Sequence, residues 1–384
     1  MTGAAAASVG HGAPDAPPGG PLAGIRVVEV ASLVAGPYAA KLLGDFGADV
    51  VKVEPPAGDP LRALDADFFD NLNTSKRSVA LDLETATGRA QLAALAARAD
   101  VLVEDLPPGR LAELIGDPWA ANPRLVVASI TPYGQDGPRA GWKGGDLTGW
   151  AAGGMAYISG EPDQEPLAPA GMQAWHLAAL QTATAALYAV FHALRTGEGQ
   201  RVDTSVQEAV CTILEGCVTD WGFLGHARTR MGTLHPAGHG TGMQRLADGT
   251  LLFCSTMPRP QHWAKTRELL GNPEWMQDPR FDDLGVRRAH HEEIDAKAAE
   301  IFGTLRREEI YRQMLDAGVP VGVVSTMQDV AESEQLAARG FFVEVEGKTY
   351  LGAPWQMSAT PWRISRPSPP VPGADDAGVL GGRW

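Results

Sequence analysis

IRVVEVASLVAGPYAAKLLGDFGADVVKVE, residues 25–54, decides the fold. IRVVEV (25–30) is short, β-branched and bounded by Gly24, the pattern of a buried strand. SLVAGPYAAKLLGDFG follows; Pro37 suits a first helical turn, and the helix is expected to stop near Gly47. DVVKVE (49–54) repeats the character of the first run. A strand, a short helix and a second strand in so short a span make a βαβ unit.

The alternation continues outward. VALDL (79–83) reads as a strand, Thr87 to Ala99 as a helix, VLVED (101–105) as a strand, GRLAELIG as a short helix and LVVASIT (125–131) as a strand. This predicts an α/β fold: a Rossmann-like, doubly wound parallel sheet with helices on both faces. Ligands on such sheets bind outside the carboxyl ends of the strands, here the loops after Val30, Glu54, Asp105 and Thr131. A long helix over about 172–195 ends at TGEGQ (196–200), and RVDTS leads into a further helix, VQEAVCTILEG. From about Gly225 the chain becomes richer in Gly, Pro, Trp and charge, so 225–330 reads as a smaller α+β domain after a large domain over 21–224. FFVEVEG (341–347) resumes strand character, and SRPSPPVPGADDAG reads as extended surface chain.

With 384 residues the chain fits two domains. Its net charge of −14 excludes a general nucleic-acid or anionic-membrane binder, although a local basic pocket can still hold an anionic ligand. Cys211, Cys217 and Cys254 form no C-x-x-C pair and read as reduced, mostly buried thiols, which fits a cytoplasmic protein. Residues 1–20 are Ala, Gly and Pro without a basic or apolar core, so they read as a disordered tail rather than a signal peptide. His176 to Leu194 carries no Asp, Glu, Lys or Arg but holds His and Thr residues, and reads as a buried core helix rather than a membrane span. No G-x-G-x-x-G follows the first strand and no Walker A sequence occurs, which weighs against dinucleotide and ATP sites of the common kinds. His235 and His239 are separated by Pro236 and Gly238, so no helix aligns them as metal ligands; His290 and His291 sit in a charged helix and read as solvated.

The opening PLAGIRVVEVASLVAGPYAAKLLGDFGADVVKVEPPAGDPLR resembles the start of family III CoA-transferases, the CaiB/BaiF type. NTSKRSVALDL (73–83), VEDLPPG (103–109), NPRLVVASITPYGQDGP (122–138), TGEGQRVDTSVQEAV (196–210), DPRF (278–281), AGVPVG (317–322) and LAARGFFVEV (336–345) continue the likeness in order and spacing. The resemblance implies a large domain built from both ends of the chain, so that 331–384 returns to it, and an interlocked dimer. It also implies transfer of CoA from an acyl-CoA to a carboxylate through a covalent aspartate, with no metal. Asp suits that work because its carboxylate is both nucleophile and leaving group.

In that family the aspartate lies near the start of the long helix. Counting back from Thr196 lands on Trp175 or, with a one-residue shift, on His176, and no Asp or Glu occurs between Glu165 and Glu198. Trp175 reads as a plug in the nucleophile's space or as a wall for the acyl group; His176 reads as a general base or as a polar cap. The His that related racemases place before an Asp is Gly145 here, ahead of Asp146. For CoA, the resemblance points to Val34, Ala35 and Gly36 against the thioester, and to Lys76, Arg77 and Arg62 for the phosphates. Asn73 is expected to brace that loop, and Tyr133 and Gly134 to form a turn beside the site. Asp105 departs from the family's Asn and adds a negative charge unfavourable to a phosphate. HPAGHGTG (235–242) reads either as a lid or as a surface loop.

Two readings of the partner follow. Either this chain is the subunit without the aspartate in a heteromer (heterodimer or heterotetramer) of the benzylsuccinate CoA-transferase type, or it is a homodimer. As a homodimer it would carry altered chemistry on a CoA ester (lyase, isomerase or hydrolase), or bind one without turnover.

Overall fold

In a computed structural model, β1 (Arg26–Val30) and β2 (Asp49–Glu54) pair in parallel and are joined by the Ala35–Asp45 helix. The structure describes residues 19–232, 242–254 and 260–384; the expected tail up to residue 18 and all of the HPAGHGTG run except Gly242 lie outside them. β3 (Lys76–Ala80), β4 (Val101–Glu104), β5 (Val126–Thr131) and β6 (Arg201–Ser205) complete a parallel sheet of order β3-β2-β1-β4-β5-β6. The order reverses between β1 and β4, which is the switch point where ligands of doubly wound sheets bind.

Two strands differ from their sequence reading. β3 opens at Lys76 rather than Val79, because its backbone already pairs with Val50 of β2 there. RVDTS is itself β6, an edge strand whose half-exposed polar residues hide it from a search for apolar runs.

Both sheet faces are covered. One carries a cluster of Val27, Val50, Val103 and Val126 with alanines of the long Gln173–Thr196 helix; the other joins Val28, Val51, Leu102 and Val127 to Leu92 and Leu111. The long helix is long and apolar enough to cross a membrane, yet Ala174, Ala178, Ala186, Ala189 and Ala193 are buried on the sheet, so it is a core helix. Small residues on one face let it approach the strands closely. Cys211 and Cys217 are only partly buried, less than expected.

The described residues divide into two units. One joins 19–156, Ala168–Ala227 and Ala338–Trp384. Within it the last segment forms the hairpin β10 (Phe342–Val345) and β11 (Lys348–Leu351), and its Asp375 and Asp376 accept the Ser78 and Ala80 amides, which shields the β3 edge. The other unit takes Tyr157–Leu167, assigned to the large domain from sequence, and the described part of Arg228–Ala337. Its antiparallel sheet of β7 (Gly242–Arg245), β8 (Leu251–Cys254) and β9 (Val321–Val323) packs Leu252 against Phe302 and Met314.

Candidate active site

At the switch point the loop after β1 is held tightly. A Cβ on Gly36 would lie 2.1 Å from the Ala31 Cβ, so only glycine fits that approach. Leu33 sits at φ 61°, a strained conformation for leucine; its N–H donates to Asp59 Oδ1 at 3.2 Å. Asp59 also takes the Leu61 amide and, through Oδ2, pairs with Lys52 at 2.8 Å.

Beneath the loop lies a buried ion network. Lys52 meets Glu29 at 2.7 Å as well as Asp59, and donates to the Ala31 carbonyl; Lys76 meets the other Glu29 oxygen at 2.7 Å. Burial lowers the Lys52 ammonium, but Glu29 and Asp59 outweigh it and hold Lys52 above the ordinary lysine value. Lys76, with burial dominant and two lysines nearby, is lowered to about 8 despite Glu29. Glu29 and Lys52 are charged residues inside apolar strand runs, a signal of such a network that the sequence reading passed over.

Two crevices open over the carboxyl ends of the strands. One of about 220 Å3 lies over β1 to β4 and is lined by Glu54, Asp59, Asp82, Glu84 and Asp105, with no Lys or Arg in its wall. The other, about 120 Å3, is lined by Ser32, Val34, Ala35, Asp105, Thr131 and Trp175 among others. Asp105, one residue beyond β4, belongs to both. Its Oδ2 accepts the Ser32 amide at 3.0 Å, and among the described residues its Oδ1 has no hydrogen bond. Burial pushes its carboxyl up to about 7; Ser32 and Lys52 oppose the rise, while Glu104 and Glu29 add to it. Thr131, only 2% exposed, has a hydroxyl without a hydrogen-bond partner among the described residues. The Ala35–Asp45 helix has no side-chain cap at its start, so its first amides remain open donors beside the smaller crevice.

This arrangement predicts a pH signature. The unfolded Asp titrates near 3.9, so between about pH 4 and pH 7 the folded chain keeps a proton that the unfolded chain has lost. Asp105 therefore removes stability as pH rises through that window. Asp105→Asn keeps an acceptor for Ser32, and its gain in urea midpoint over wild type is expected to grow from pH 4 to 7 and then level off. A gain independent of pH would show that the carboxyl titrates normally.

The family model for CoA-transferase family III matches residues 22–376. The chain belongs to that family. It is 32% identical to the succinyl-CoA–L-malate CoA-transferase alpha subunit of Chloroflexus aurantiacus, over 91% of this chain and 86% of that one. It is also 32% identical to subunit BbsE of succinyl-CoA:(R)-benzylsuccinate CoA-transferase from Thauera aromatica, over 90% of each. A CaiB/BaiF family protein from Brucella suis has the same fold, with a TM-score of 0.87 and 30% identity over 94% of this chain and 99% of that chain.

The residues singled out from the family's pattern fall in different places. Val34, Ala35, Asp105 and Trp175 come together in the smaller crevice. The Trp175 amide donates to Asp146 Oδ1 at 3.0 Å, fixing the start of the long helix, and its side chain packs against the apolar cluster that includes Val34 and Phe69. Trp175 is thus both a packed plug and a wall. His176 lies outside this crevice, in a pocket of about 310 Å3 with Tyr38, Lys41 and Asp45; its Nδ1–H donates to the Met172 carbonyl at 2.9 Å. Tyr133 and Gly134 form the turn after β5, with Tyr133 edge-on to Trp142 and Gly134 at φ 91°.

The expected phosphate cations are engaged internally. Lys76 is fully buried on Glu29, Asn73 Oδ1 and the Pro37 carbonyl, so its ammonium offers nothing to a ligand from solvent. Asn73 is buried too and donates to the Phe69 carbonyl, bracing the turn. Arg62 grips both Glu54 oxygens and stacks over Phe69, and Arg77 pairs with Asp49. β3 places Lys76 and Arg77 at its amino end, whereas Leu81 to Glu84 beyond its carboxyl end line the larger crevice. Thr131, Asp59 and Asp146 were not singled out as site residues; their signals were the loop after Thr131, the motif GDPLR and the Asp that follows Gly145.

Proposed function

We propose that this chain is the subunit without the acyl-carrying aspartate in a heteromeric CoA-transferase, moving CoA between an acyl-CoA and a carboxylic acid in a reducing cytoplasm. The observation that carries this reading is Trp175. It occupies the start of the long helix, and no carboxylate follows before Glu198. The names of two relatives, an alpha subunit and BbsE, are consistent with unequal subunits. The outer face of the long helix supports a partner: Tyr188, Phe191 and Leu194 are 72%, 61% and 57% exposed there. A homologous chain that carries the aspartate is the expected partner, in the interlocked arrangement typical of the family. This subunit then contributes scaffold and crevice walls. The carboxylate-lined larger crevice disfavours a diphosphate, so the phosphates of CoA are expected to find their cations elsewhere in the assembly.

The test is co-expression with such a homologue. Joint purification, with CoA transfer that disappears when the homologue's aspartate is replaced, is the expected result. Full transfer by this chain as a homodimer would overturn the reading. A second reading, a homodimer with altered chemistry on a CoA ester, is favoured by the acid–base group and open donors around the Trp175 crevice.

A further inference from the structure

The smaller crevice holds more than a scaffold needs. A strained Leu33, an orphaned and buried Thr131 hydroxyl, uncapped helix amides and a carboxyl with one open oxygen all converge on about 120 Å3. Each feature carries a conformational or desolvation cost that packing alone does not require. The volume suits a water beside a small acyl thioester end, not a whole CoA.

We propose that Asp105 is the general base of a thioester-hydrolysing site, positioned by the Ser32 amide and facing the acyl group across from Trp175. This rests on the reading that an acyl-CoA enters this chain. The Asp105 carboxylate takes a proton from water as the water oxygen bonds to the thioester carbonyl carbon. The carbonyl oxygen, now negative, is stabilised by the open amides at the start of the Ala35–Asp45 helix and by the Thr131 hydroxyl. The intermediate collapses, the C–S bond breaks with its electron pair on sulfur, and the thiolate takes the proton from Asp105. A carboxylic acid and free CoA leave, and water is the only other reactant. Trp175 cannot accept the acyl group, so no competing acyl-enzyme diverts it.

Three features select a base over a nucleophile. Oδ2 is tied to Ser32, the residue follows the end of β4 rather than opening a helix, and a carboxyl near neutral pKa is matched to proton transfer at physiological pH. The groups acting on it are Lys52, Glu104 and Glu29, with Asp59 on the same crevice wall; of these Lys52 alone favours its ionisation.

The experiment uses the full chain with acetyl-CoA and succinyl-CoA as probes. Thiol release is followed from pH 5 to 9, and binding of each ester is measured by calorimetry for wild type and Asp105→Asn. The expected result is slow hydrolysis whose rate rises with pH and levels off above about 7, and a loss of roughly 10²-fold or more in Asp105→Asn with binding retained. In water labelled with 18O, a single turnover should label the released acid and leave Asp105 unlabelled. Binding without thiol release, hydrolysis undiminished in Asp105→Asn, or label in Asp105 would each overturn the proposal. Failure of wild type to bind either ester, alone or together with the homologous subunit, would instead sink the underlying reading that this chain takes an acyl-CoA. If the variant does not fold, the wild-type pH profile and label still decide.

Discussion

Given succinyl-CoA and a free carboxylic acid, this chain alone is expected to transfer no CoA and to carry no acyl or CoA adduct on any Asp or Glu. The reason is chemical. The family's route needs a carboxylate at the start of the long helix that can attack a thioester and later leave as part of an anhydride. Trp175 stands there, its amide bound to Asp146 and its side chain packed against the apolar cluster that includes Val34 and Phe69. His176, one residue on, points into another pocket, and an acyl-imidazole there would lose its acyl group to water. Of the other carboxylates near the crevice, Asp59 binds Leu33, Leu61 and Lys52, Asp146 binds Trp175, and Asp105, held by the Ser32 amide through Oδ2, is expected to act on water rather than to take the acyl group. Hydroxylamine or borohydride trapping followed by mass spectrometry reads the outcome. A trapped adduct, with transfer at the roughly 1–10³ per second of ordinary enzymes, would show a carboxylate nucleophile elsewhere.

Lys52→Met is expected to be the most damaging single change to the fold, by about 3–5 kcal/mol. Lys52 is fully buried between Glu29 and Asp59 and caps the Ala31 carbonyl, so methionine leaves two carboxylates without their shared cation. Part of the loss is local. Asp59 positions Leu33, so the loop after β1 should loosen as well, and ester binding should weaken beyond what the drop in stability alone explains. Urea unfolding monitored by fluorescence measures the first effect. Combining Lys52→Met with Asp59→Asn should recover part of the loss, because it removes a charge from each side, keeps an acceptor for the Leu33 and Leu61 amides and leaves Glu29 paired with Lys76. A loss below about 1 kcal/mol for Lys52→Met would mean that water reaches the network.

The sequence by itself determined the sheet. Short β-branched runs separated by helices of the right length leave parallel pairing with crossovers as the arrangement that buries both faces, and such patterns are local properties of the chain. It also determined that no Asp or Glu stands between Glu165 and Glu198, which is a matter of composition. Edge strand β6 escaped because edge residues are half solvated and lose their apolar signature. What only the tertiary structure decided was which charges are free. Lys76 and Arg62 look in sequence like open phosphate ligands; the fold sets Glu29 and Glu54 from other strands against them. Asp105 looks like an intrusive charge, and the fold makes it the shared wall of two crevices with a carboxyl poised near neutral pH. The physical reason is that ionisation and hydrogen bonding depend on desolvation and on partners within a few ångströms. Those partners come from segments dozens of residues apart, such as Ser32 and Asp105, and no local pattern encodes that distance.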